Sequence, residues 1–315
     1  MPTEPPPVPA WRVHGVLLLV QLAFGAHYPA VKLLLEEVPA AAWSWVRVAT
    51  AALLLLAVTR LAGRRFAIAR ADCLRLALYA LFGVVLNQLC YAEGMARTSA
   101  AHASILMTTI PLATLSLAVL VGREAADPWK IVAVGAGLAG VVLVIGSAGD
   151  GRSAATLVGD LLILVNALSY SLFLVLSKRL MSRIDSLPAT ALLLAFGAVG
   201  MLPLSLRSLA ALEPAAISAR GWALAAFIVL VPTAGAYLLT TWALARVDSS
   251  VVALFIYLQP LVATGIAVVL LGERVPPRVA LGALVVFVAV YLALRPPGRR
   301  PPTAVAEQGT VRAEG

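Results

Sequence analysis

Two stretches of this chain read alike: ARTSAAHASILMTTIPL at Ala96–Leu112 and ARVDSSVVALFIYLQPL at Ala245–Leu261. A shift of 149 residues superposes them. Ala96 then meets Ala245, Arg97 meets Arg246, Pro111 meets Pro260 and Leu112 meets Leu261. The same shift pairs Ala118 with Ala267, Val119 with Val268 and Glu124 with Glu273. One offset that serves so many pairs marks an internal duplication. Each copy also carries a proline about midway along an apolar run, where proline removes a backbone hydrogen bond and crowds the carbonyl four residues back.

The duplicated unit belongs in a membrane. The chain has 315 residues, 61% hydrophobic and 12% charged, against about 25% charged in soluble domains. A water-soluble fold of this composition would expose large apolar patches. The balance of 24 Lys and Arg against 15 Asp and Glu gives +9. In a membrane protein such a surplus reports topology. No basic–aromatic interleaving points to nucleic acid. A helix needs about 20 apolar residues to cross the hydrocarbon core. Runs of that kind are expected near residues 13–35, 40–60, 74–95, 98–121 and 129–146. After a polar linker at 147–157, five more are expected near 158–178, 189–206, 221–244, 249–271 and 279–294. The runs are too long and too evenly apolar for barrel strands.

The expected fold is therefore an all-α polytopic membrane protein with ten transmembrane helices. Residues 1–12 form a cytoplasmic tail, 13–146 the first five-helix repeat, 158–295 the second, and 296–315 a disordered cytoplasmic tail. Sixteen Lys and Arg fall on the side of the two tails and six on the opposite side, which places both termini in the cytoplasm. Five spans are an odd number, so the second copy enters from the opposite face. An inverted-topology repeat of this kind is typical of secondary transporters, whose sites lie near the midplane where helices are interrupted.

The pattern resembles the drug/metabolite transporter superfamily, specifically its EamA type, over about residues 13–295. The matching residues are AFGAHYPAVKLLL (Ala23–Leu35), the arginine in WSWVRVA (Trp43–Ala49) and GVVLNQLCYAEGMARTSAAHASIL (Gly83–Leu106). Pro111 followed by GRE, GDLLILVNALSYSLFLVLSKRL (Gly159–Leu180), and Pro260 followed by LGER complete the set. Two features depart from the family pattern: Gly-Arg-Glu replaces the usual Leu-Gly-Glu, and Glu93 occupies a usually apolar position. The resemblance implies a secondary transporter in the plasma (inner) membrane. Such proteins often export metabolites, amino acids or drugs, and an importer or exchanger of the same fold is the alternative. It implies no ATPase, and no Walker loop is found; the alternatives of another class are a membrane-embedded enzyme, for which no HExxH is found, and a channel, for which no filter sequence is evident. The expectation is a non-enzyme without a cofactor.

Polar groups inside a bilayer are costly and mark candidate sites. Those of the first half are His27, Lys32, Arg47, Asn87, Gln88, Glu93 and His102. Those of the second are Asn166, Tyr170, Tyr237, Tyr257 and Gln259. With Pro111 and Pro260 they form the expected transport cavity. His27 and Glu93 are the candidates for proton coupling. Some have plainer readings. Lys32 can snorkel to the interface, Glu93 can pair with Arg97 one turn on, and His102 can be a packing residue. Arg47 needs a carboxylate or carbonyl partner, with Glu93 and Glu36 the candidates. Asp160 is expected to cap its helix. No spacing forms a metal site. The expected partners are lipid, a small-molecule substrate and protons.

Overall fold

The structure is a computed structural model describing residues 9–66, 68–122, 154–272 and 275–293, with a few residues between 132 and 143. All described secondary structure is helical. The first three helices are α1 (Ala10–Leu34), α2 (Ala40–Leu61) and α3 (Arg70–Met95). The fourth is broken into α4a (Ala100–Leu106) and α4b (Thr109–Leu120). Then come α5 (Ala154–Met181), α6 (Ser186–Ala210) and α7 (Ala219–Leu244). The eighth is broken into α8a (Ser249–Leu254) and α8b (Gln259–Leu271), and α9 runs from Pro277 to Ala293.

Among the described residues, eight helices are long and apolar enough to cross a membrane. The predicted tenth span coincides with α9, a helix of 17 residues. Of the predicted fifth span, residues 132, 135–140, 142 and 143 are described, as helix, and the rest lie outside the described residues, as do residues 1–8 and 296–315. Helix α5 begins at Ala154, inside the predicted linker, because Ala154 and Ala155 favour helix ahead of the apolar run. Elsewhere the ends follow local chemistry. Ser99 caps α4a by accepting from the His102 amide, Asp185 caps α6 through the Leu187 amide, and Ser218 caps α7 through the Gly221 amide.

The molecule is apolar outside, and its largely apolar core encloses a set of polar groups. Leu157, Leu161, Val165 and Leu168 form an exposed stripe along one face of α5, at the spacing of a helix surface. Gln21, His27, Arg47, Asn87, Gln88, Asn166 and Gln259 are buried. Trp11 and Trp222 are exposed, as interfacial anchors are, whereas Trp43 is buried at 5% exposure. Its place near a helix end does not decide its environment, because that end packs inward.

The two halves pack in matched pairs. Helix α1 lies against α8b and the end of α7, while α5 lies against α4b and the end of α3. Helices α2 and α6, which correspond between the halves, pack on each other. A lysine fastens each half in the same way. Lys32 Nζ on α1 donates to the carbonyl of Met95, last residue of α3, at 3.0 Å and to that of Thr98 at 2.7 Å. Lys178 Nζ on α5 donates to the carbonyl of Leu244, last residue of α7, at 2.7 Å. Met95 and Leu244 are 149 residues apart, so the repeat extends to this contact. Both lysines serve open carbonyls at the negative end of a helix. Lys32 thus has bonding partners as well as a route to the interface.

Candidate functional site

In α4 and α8 the α-helical pattern is interrupted near the prolines. Met107 and Thr108 form a turn between α4a and α4b, so Pro111 stands in the first turn of a new helix. Pro260 likewise stands in the first turn of α8b, after a 3-10 segment at Phe255–Leu258. Proline is tolerated there because the first amides of a helix have no intrahelical partner. The carbonyl of Met107, which Pro111 cannot serve, accepts from the Ile110 amide at 3.0 Å. Ser171 on α5 reaches the Ile110 carbonyl at 3.1 Å.

A second matched irregularity has no counterpart among the sequence expectations. Helix α3 widens to π-helix at Leu81–Leu86 and α7 at Val229–Gly235, at positions related by the repeat offset. A π-turn leaves backbone carbonyls displaced from regular pairing. Side chains of neighbouring helices take them. Ser169 bonds the Phe82 carbonyl at 2.7 Å, and Tyr237 the Gly83 carbonyl at 2.9 Å. Gly83 is itself required, because a Cβ there would lie 2.5 Å from the Phe173 ring.

Between these features lies a narrow cavity of about 50 Å³. Gln21, Phe24, His27 and Tyr28 of α1 and Asn87, Gln88 and Tyr91 of α3 line one part. Met107 and Ile110 at the α4 break, Asn166 and Tyr170 of α5, and Tyr237 and Thr240 of α7 line another. Val252, Ile256 and Gln259 at the α8 break complete it. The wall mixes apolar and aromatic surface with a few polar groups, the usual character of a small-molecule site.

The polar groups form two linked sets. Tyr28 Oη donates to Gln259 Oε1 at 2.7 Å, and Gln259 Nε2 donates to Gln21 Oε1 at 2.6 Å. This ties α1 to the start of α8b. In the second set Arg47 Nη1 meets His27 Nε2 at 2.8 Å, and Arg47 Nη2 donates to Gln88 Oε1. A guanidinium has only donors, so His27 Nε2 accepts and the ring proton resides on Nδ1. Gln88 Nε2 in turn donates to Asn87 Oδ1 at 2.7 Å and to the Tyr237 hydroxyl. Asn166 Nδ2 donates to the Asn87 carbonyl at 2.6 Å.

Seven of the expected residues line this cavity: His27, Asn87, Gln88, Asn166, Tyr170, Tyr237 and Gln259. Arg47 stands directly behind the wall, partnered by His27 and Gln88 rather than by Glu93 or Glu36. Pro111 and Pro260 flank it through Ile110 and Gln259. Glu93 does not line it; half-exposed, it pairs with Arg97 on the same helix. Tyr257 also stands apart, its ring 6.0 Å from that of Phe287. Gln21, Tyr28 and Tyr91 were passed over, although helical spacing would have found them. Gln21 and Tyr28 are seven apart, and Tyr91 lies one turn beyond Gln88.

His102 belongs to a separate buried cluster. Its Nδ1 lies 2.9 Å from Asp160 Oδ1, which also accepts from Thr98 Oγ1 at 2.7 Å. Asp160 is fully buried two turns inside α5, so it anchors the α3–α4a loop rather than capping its helix. His102→Ala is expected to cost about 1.5–3 kcal/mol, the worth of a hydrogen bond to a charged group. Thermal unfolding in detergent measures this, and an unchanged midpoint refutes it.

The fold and site define a helical membrane protein with a cavity of mixed apolar and polar lining between two related halves. The chain belongs to the EamA-like transporter family, whose profile matches residues 12–146 and 157–295. An uncharacterized transporter of Archaeoglobus fulgidus is 27% identical over 282 residues, covering 89% of this chain and 96% of that protein. The Bacillus subtilis uncharacterized transporter YetK is 23% identical, covering 77% of this chain and 74% of its own length. YoaV of the same bacterium is 22% identical, covering 88% and 94%. One solved crystal structure shares the fold with a TM-score of 0.63 at 16% identity, over 90% of this chain and 95% of that one. The chain is thus a multi-pass membrane protein of a transporter family.

Proposed function

We propose that this chain is a secondary carrier rather than an enzyme or a channel. It moves a small molecule across the plasma membrane by alternating access. Two five-span halves of inverted topology, with both tails cytoplasmic, rock about the cavity. One observation carries the reading. The cavity wall is built from both halves at repeat-equivalent positions, including both helix breaks. Interrupted helices around a central site are how such carriers expose irregular backbone within a membrane. The outward direction rests on the family resemblance. We assign the proton as coupling ion and His27 as the titratable group, since it is on the wall whereas Glu93 is outside it. Arg47 and Tyr91 are the groups that face His27.

Metabolites altered by overexpression supply the substrates for flux in proteoliposomes. Saturable, counter-transported flux supports a carrier. Ohmic current or turnover without a gradient overturns it. His27→Ala is expected to abolish the effect of a pH gradient on flux, and persistence of that effect removes the coupling assignment. Pro111→Ala and Pro260→Ala each permit a continuous helix across the break. Both are expected to insert normally and to lower flux about tenfold, as 1.4 kcal/mol on the rate-limiting step would. Full flux in both variants rejects a role for the breaks.

A further inference from the structure

Arg47 carries a charge that nothing in the described structure balances. It is 1% exposed, on a membrane-crossing helix. Its guanidinium meets His27 and Gln88, both neutral in these contacts, and the face of Tyr91 at 5.6 Å from the ring centroid. No carboxylate among the described residues pairs with it, and its Nε lacks an acceptor. Buried cations in membranes are expensive and are ordinarily paired.

The groups around it open on the cavity. His27, Gln88 and Tyr91 are all part of the wall. The Tyr91 hydroxyl is buried without a hydrogen-bond partner, an unspent donor next to the buried cation. Helices α4b and α8b, of 12 and 13 residues, place Ile110 and Gln259 of their first turns on the wall. Their N-termini add positive potential there. Among the described residues, no Asp, Glu, Lys or Arg lines the cavity. Across it, Met107, Ile110, Val252 and Ile256 offer apolar surface.

We propose that the cargo is a monocarboxylate with an apolar body and no cationic group. Its carboxylate sits by Tyr91, His27 and Gln88 within the field of Arg47. One guanidinium balances one negative charge. A phosphate monoester dianion leaves a net negative charge in the membrane, and an ammonium group finds no carboxylate among the described residues of the wall. This inference rests on the carrier reading for its meaning as cargo, but binding alone tests the chemistry.

The full chain in lipid nanodiscs is titrated with phenylacetate, phenylacetamide, phenethylamine, phenylalanine and phenyl phosphate, together with longer aryl and alkyl carboxylates. Carboxylates are expected to bind about tenfold tighter than their amides, a difference of 1.4 kcal/mol. Arg47→Gln is expected to erase that preference and Arg47→Lys to retain it. Gln88→Glu, which gives Arg47 an internal counter-ion, is expected to fold normally and lose carboxylate binding. Equal binding of acid and amide, preference for the amine, zwitterion or phosphate, no binding by any carboxylate, or a preference surviving Arg47→Gln overturns the proposal. Arg47-dependent binding without flux refutes the carrier reading alone. Saturable flux of neutral or cationic molecules only refutes the monocarboxylate alone.

Discussion

Gln88→Leu is expected to destabilise the protein by about 3–5 kcal/mol, the cost of removing one partner from a buried charge. The substitution nearly conserves volume, so packing contributes little. What changes is the environment of Arg47, whose Nη2 donates to Gln88 Oε1. Leucine leaves the guanidinium with His27 alone and places hydrocarbon against its charge. Asn87 Oδ1 loses the Gln88 Nε2 donor at 2.7 Å as well. The double variant Gln88→Leu with Arg47→Met removes the stranded charge and is expected to recover most of the loss, a coupling a double-mutant cycle reads directly. Thermal unfolding in nanodiscs measures all three variants. If Gln88→Leu unfolds at the wild-type midpoint, the guanidinium is not held as described.

The second large effect is expected at Gly159, where α5 crosses α3. A Cβ at Gly159 would lie 2.9 Å from Arg97 Cβ, 3.0 Å from the Gly94 carbonyl oxygen and 3.1 Å from the Arg97 carbonyl carbon. Two of these are backbone atoms, which cannot swing aside like a side-chain tip. Gly94 faces the same crossing, its own Cβ position 3.0 Å from the Gly159 carbonyl oxygen. Two glycines let the helices approach this closely, as small residues do in membrane interfaces. Gly159→Leu is therefore expected to force the halves apart, at about 3 kcal/mol or more. Gly265→Leu is the control, since nothing lies within 4 Å of a Cβ there. A falling monodisperse fraction on size exclusion, with a lowered midpoint for Gly159→Leu only, is the expected result. Equal behaviour of the two variants rejects the crossing as a tight constraint.

Much of the cavity was legible before any coordinates. His27, Asn87, Gln88, Asn166, Tyr170, Tyr237 and Gln259 declare themselves because a polar side chain in an apolar run has few places to go. The same rule misplaces Glu93. It is polar in an apolar run, yet its partner is Arg97 one turn away, and the pair sits at the periphery. Charge alone marks a residue as exceptional but does not say which way its helix faces. Arg47 shows the same limit. Its need for a partner was evident, but the sequence neighbours that could serve it are not its neighbours in space. The acceptors come from α1 and α3, brought together by packing.

The apolar runs, the repeat offset and the paired prolines follow from sequence by itself. Hydrocarbon thickness imposes run length, and the repeat is a comparison of letters. The prolines also announced an interruption, but only the tertiary structure shows its form, a turn at Met107 and Thr108 in α4 and a 3-10 segment at Phe255–Leu258 in α8. The π-helical turn of α3 carries no comparable letter signature, because its displaced carbonyls are served by Ser169 of α5 and Tyr237 of α7; that of α7 holds Pro232. The uncompensated charge of Arg47 is likewise a property of the assembled bundle. Whether a buried cation has a counter-ion depends on distances between helices, and no order of residues along one chain contains those distances.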